Sequence, residues 1–182
     1  MKNNRIKALI IVTMMIPALI ACGKSTNTAS DNQNTAIANP VVEVTQDGEF
    51  STKLGIDIDT SKFDSDVTRN IIADKTAEVI MTKQDPDGND VKVTLRATKD
   101  SSVADNMPQL LAGIYDDNMS EPVTLELGYD SIDSLNMQTS DANGCEIYSF
   151  VNNDVYYTLT IDNGLSQMTI GAILDNVAEA IK

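Results

Sequence analysis

Carboxylates are the abundant chemistry of this chain: 27 Asp and Glu stand against 13 Lys and Arg, with no His, no Trp and two Cys in 182 residues. Asp57, Asp59, Asp64 and Asp66 cluster around Phe63, and Asp116-Asp117-Asn118 forms another acidic patch. Oxygen ligands at such density suit hard divalent cations, so the first cluster is a candidate Ca²⁺ site. The run Asp85-Pro-Asp-Gly-Asn-Asp90 carries oxygen side chains at alternate positions, as a calcium loop does. An EF-hand needs Gly at its sixth and Glu at its twelfth position. Asp90 and Arg96 stand there instead, and the flanks alternate like strands, so the run reads as a hairpin turn.

Most catalytic constellations are missing. Without His there is no Ser-His-Asp or Cys-His machinery and no His-ligated metal. The nine Gly include no Gly-x-Gly and no phosphate-cradling loop, and no Ser precedes a Lys by three residues. Paired carboxylates for hydrolysis are available among so many acids, but no spacing singles out a pair. Cys145 follows Asn143-Gly144 and opens the run Cys145–Val151, the place of a small residue starting a strand. No imidazole is present to take its proton. Tyr148, Tyr156 and Tyr157 are the aromatics that could stack on a ligand if exposed; cross-strand packing is their ordinary role. The acidic balance excludes nucleic acid as a partner, because phosphate recognition needs concentrated Lys and Arg. No cofactor is expected.

The N-terminus reads as an address. Lys2, Arg5 and Lys7 precede Ala8–Ala21, an uncharged run too short to span a bilayer and broken by Pro17. This pattern is that of a secretory signal peptide. Its end, Leu19-Ile20-Ala21-Cys22, resembles the lipobox of bacterial lipoproteins. The resemblance implies cleavage after Ala21 and a diacylglyceryl group on the Cys22 thiol; two acyl chains anchor stably where one does not. Residues 23–39 are small and polar apart from Ile37, the composition of a flexible spacer. Cleavage would take Lys2, Arg5 and Lys7 from the 13 basic residues and none of the 27 acids, leaving a net charge of −17 and Cys145 as the lone thiol.

The elements beyond the spacer predict one α+β domain, residues 40–182. Thr45–Gly55 reads as a short helix, with Thr45 or Asp47 as cap and Gly55 as stop. Val67–Ala73 and Thr76–Thr82 flank Asp74-Lys75 as a hairpin. Val91, Val93, Leu95 and Ala97 alternate with polar residues, the cleanest half-buried strand in the chain. Val123, Leu125 and Leu127 alternate likewise, and Glu146–Val151 and Val155–Ile161 form a second hairpin around Asn152–Asp154. This is a meander, hence a mainly antiparallel sheet. Ile170, Ile173, Leu174, Val177, Ala178 and Ile181 recur at helical spacing after a capping Ser166, so an amphipathic C-terminal helix should pack on the sheet, with Gly171 and Ala172 permitting close approach.

Asn39-Pro40, Lys53-Leu-Gly-Ile56, Thr76-Ala-Glu-Val-Ile80, Ala112-Gly-Ile-Tyr-Asp116, Tyr157-Thr-Leu159 and the closing Ile170–Ala178 helix are similar to a group of uncharacterised lipoproteins of anaerobic Gram-positive bacteria. That resemblance implies no activity or catalytic residue. The expectation is a lipid-anchored protein on the extracytoplasmic face of the cell membrane, a non-enzymatic binding or accessory module for an unknown protein or small molecule. The alternatives are a carboxylate-based or calcium-dependent hydrolase and a surface calcium-binding protein. A two-lobed substrate-binding protein does not fit in the domain's length.

Overall fold

The computed structural model describes residues 40–46, 48–106, 108–114 and 116–181. They form an α+β domain around one eight-stranded sheet in which every pairing is antiparallel. In chain order the strands are β1 (Val41–Val44), β2 (Val67–Ile72), β3 (Thr76–Gln84), β4 (Asp90–Thr98), β5 (Val123–Glu126), β6 (Ser134–Ser140), β7 (Cys145–Asn152) and β8 (Val155–Asp162). Helices α1 (Gly48–Leu54), α2 (Gln109–Ala112) and α3 (Gln167–Ala180) complete the fold, with 3₁₀ turns at Thr60–Lys62 and Ser101–Asn106. Among the described residues no helix is long and apolar enough to cross a membrane.

The spatial order is β1-β2-β3-β4-β8-β7-β6-β5. The strands therefore form two meanders rather than one. The first runs β1 to β4; the chain then crosses to the far edge, starts β5 there, and returns strand by strand until β8 pairs with β4. Four strand spacings of ~4.8 Å separate β4 from β5, so the connecting residues must travel over one face of the sheet. Hairpin turns hold each meander. Asn152 and Val155 face each other across a two-residue loop in which Asn153 and Asp154 have φ of 49° and 60°. This left-handed pair matches the twist of the strands it joins. The β2–β3 turn is one residue longer than the expected Asp74-Lys75, because Ile72 pairs with Thr76. At the β3–β4 turn, Asp85 accepts from the backbone N–H groups of Asp87 and Asn89 at 2.9 and 2.8 Å, a turn staple built from the calcium-like run.

Alternation along the strands gives the sheet two unlike faces. On one, Val79, Leu95, Leu159 and Tyr148 stand in a single cross-strand row and are buried with Phe50, Ile56 and the apolar stripe of α3. Ser166 caps α3 by accepting from the Thr169 N–H at 3.2 Å. Gly171 and Ala172 do not mediate the contact: a Cβ at Gly171 would meet nothing within 4 Å, and Ala172 is exposed. The close approach is made instead by Ile170, Ile173, Leu174 and Val177.

Candidate functional site

The face opposite α3 carries a polar row through every strand: Glu43, Asn70, Glu78, Arg96, Thr158, Ser149, Asn136 and Thr124 occupy successive register positions. The crossing residues lie over the middle of it, and Arg96 fastens them there. Its Nε and Nη2 donate to Glu78 Oε1 at 3.0 and 2.8 Å, while Nη1 donates to the carbonyls of Leu111 and Ala112 at 3.2 and 2.5 Å. Asn70 Nδ2 donates to the other Glu78 oxygen at 3.0 Å. Free carbonyls at the end of α2 thus receive a cation, the partner that helix C-termini favour. Gly113 follows with φ of 71°, and a Cβ there would lie 2.5 Å from Arg96 Nη1. The positive φ favours glycine, and a side chain there would displace the Arg96 guanidinium from the carbonyls it holds.

A second tie sits toward β6 and β7. The buried Asp116 accepts from the Ser140 hydroxyl at 2.5 Å and from the Asn118 N–H at 2.9 Å, which hold its carboxyl below the usual carboxylate range. Ala112, Ile114 and Met119 of the crossing segment pack with Cys145 and Ile147 of β7 in a small separate core. Cys145 is the first residue of β7 and is buried. Burial, then the nearby Asp162 and Asp116 charges, push its thiol above the ordinary value, so it is a poor nucleophile.

Two depressions flank the fastened segment. One is a groove of about 700 Å³ whose walls include Val41, Ile72, Leu110 and Leu111 and whose floor is Thr76 and Thr98, with the Lys75–Asp100 ion pair at 3.0 Å on its rim. The other is a hollow of about 410 Å³ over β6, β7 and β8, lined by Ser134, Asn136, Ser149, Val151 and Tyr156 with Leu135 and Phe150. Among the described residues, no charged residue lines this second depression.

The acidic residues singled out from the sequence do not form one site. Asp59 caps the 3₁₀ turn, accepting from the Ser61 hydroxyl at 2.5 Å and its N–H at 3.1 Å, and these bonds lower its pKa. Asp57 lies beside Lys99 and Tyr157 in a separate small pocket, while Asp64 and Asp66 are exposed. Among the described residues, no three carboxylate or thiol groups come together in a way that could hold a metal ion. Ala21, Cys22 and Asp47 lie outside the described residues.

The three tyrosines divide between the faces. Tyr148 is buried on the α3 side and donates to Glu146. Tyr157 is buried there too, stacked on Phe150 with ring centroids 5.0 Å apart. Tyr156 alone of the three points to the face opposite α3, where it lines the uncharged hollow. Burial, then the Asp57 charge, push the Tyr157 hydroxyl up to about 12 from 10.0. An acid whose folded pKa is raised favours folding below its unfolded pKa and loses that contribution as pH rises through the window from 10.0 to about 12. Tyr157→Phe should therefore flatten the alkaline limb of the unfolding curve above pH ~10. Denaturant titrations across that range check this; an unchanged limb would place the titration elsewhere.

What sequence reading missed was the crossing segment, its Arg96 fastening and strand β6. Leu135 and Met137 alternating with Asn136 and Gln138 are a short strand signal for β6. Nothing local marks Arg96, because its partners come from β3 and from the end of α2. Comparisons with protein-family models, curated proteins and solved structures found no match for this chain.

Proposed function

We propose that this chain is a lipid-anchored module of the extracytoplasmic membrane face, released from its signal peptide after Ala21, acylated on Cys22, and presenting the face of its sheet opposite α3 to a ligand. One observation carries the reading: a basic start, a short uncharged run and Leu19-Ile20-Ala21-Cys22 stand in that order, and the polar run behind them ends where β1 begins at Val41. Residues 22–39 reach at most ~60 Å when extended, enough to hold a domain clear of lipid headgroups. The domain supports a binding role by its asymmetry. One face is sealed by α3, while the other keeps two depressions and a continuous polar row.

Metabolic labelling with an alkyne fatty acid in a bacterial host tests the anchor. The parent should carry the label and sediment with membranes, and Cys22→Ala should abolish both. Label retained by Cys22→Ala would refute acylation at that thiol.

A further inference from the structure

We infer that the uncharged hollow over β6, β7 and β8 is a binding site for a neutral oligosaccharide, held by Ser134, Asn136, Ser149, Val151 and Tyr156. This deepens the reading of the face opposite α3 as the binding face and rests on it. The lining chemistry selects the ligand. Among the described residues no charged side chain borders the hollow, so it offers no cation to a phosphate or carboxylate, and the chain's formal charge of −14 disfavours both.

What it offers is neutral and of both polarities. The Thr124 hydroxyl donates to Asn136 Oδ1 at 2.9 Å, which fixes the amide and leaves both Nδ2 hydrogens for a ligand oxygen. The Ser149 hydroxyl donates to the Asn136 carbonyl and keeps its lone pairs for an incoming hydroxyl. The hydroxyls of Ser134 and Tyr156 make no hydrogen bond among the described residues. Thr158, opposite Ser149 in the register, is fully buried with an unpartnered hydroxyl, the next polar group along the same row. Val151, 55% exposed, and the Tyr156 ring, opposite each other in the register, add apolar surface for the C–H face of a pyranose. Strands ~4.8 Å apart set these groups at a spacing comparable with one β-linked sugar residue.

The test is a two-dimensional amide NMR titration of the full chain carrying Cys22→Ala, with chitohexaose and cellohexaose as probes and inorganic phosphate as the charged control. At least one oligosaccharide should give saturable shifts centred on Asn136, Ser149, Val151 and Tyr156, and phosphate none. Asn136→Ala and Tyr156→Ala should each weaken binding about tenfold or more, as expected for a polar anchor and a ring. Val151→Glu, an exposed change that leaves the core intact, should block it. Silence with both sugars, shifts centred elsewhere, or saturation by phosphate would overturn the inference. Failure here with fatty-acid labelling intact removes the sugar and leaves the anchored module; loss of labelling with sugar binding intact does the reverse.

Discussion

Arg96→Met should lower the unfolding free energy by about 3–5 kcal/mol, the cost of leaving a buried charge without its partner. Glu78 has a side chain only 7% exposed, and after the substitution its carboxylate keeps Asn70 as its one donor among the described residues. The carbonyls of Leu111 and Ala112 lose their donor at the same time. The double variant Glu78→Leu/Arg96→Met should recover part of the loss, because an apolar pair of similar volume no longer strands a charge. Recovery will be incomplete, since the two carbonyls remain unpaired. Chemical denaturation of the single and double variants measures this coupling, and additive losses would disprove it. Limited proteolysis gives an independent readout: cleavage between residues 101 and 119 should rise in Arg96→Met before the sheet itself is cut. The consequence is also functional, because this segment walls the larger groove.

Ile173→Ala should cost about 2–5 kcal/mol, and the neighbouring Gly171→Ala should raise stability by about 0.5–1 kcal/mol. Ile173 is 2% exposed in the main core between α3 and the sheet, so truncation leaves a cavity that close-packed neighbours fill only in part. Gly171 lies on the same helix, but a methyl there meets open space, so alanine only removes freedom from the unfolded chain. Thermal unfolding should shift the midpoint down by on the order of 10 °C in the first case and up by a few degrees in the second. Equal, small shifts would mean that α3 is not the element sealing this face.

Strands with strict alternation were legible from sequence because period two is a local property. Val91, Val93, Leu95 and Ala97 in β4, and Val155, Tyr157, Leu159 and Ile161 in β8, need no knowledge of their neighbours to be read. The stripe of α3 and its Ser166 cap are equally local. Strand order was not legible. β4 and β8 are separated by 56 residues between Thr98 and Val155, and their pairing rests on a crossing that hydropathy does not encode. A meander was therefore the natural reading of what proved to be two.

The candidate site divides the same way. Its residues, Ser134, Asn136, Ser149 and Tyr156, are ordinary strand positions in sequence, and Tyr156 looks no different from Tyr157 beside it. Alternation sends one ring into the core and the other to the open face, but which face stays open depends on where α3 packs and where the crossing segment lies.

By itself, then, the sequence determined what covalent and short-range physics determine: the strand and helix periods, the turn chemistry, the missing imidazole and the chemistry of an acidic chain bearing a lipobox-like start. Tertiary structure alone decided which carboxylates are spent as long-range fasteners, Asp116 and Glu78 among them, and which polar groups remain open to a ligand. The reason is range. A hydrogen bond such as that from Arg96 to Ala112 exists only once strands distant in sequence have paired and the crossing chain has been laid over them.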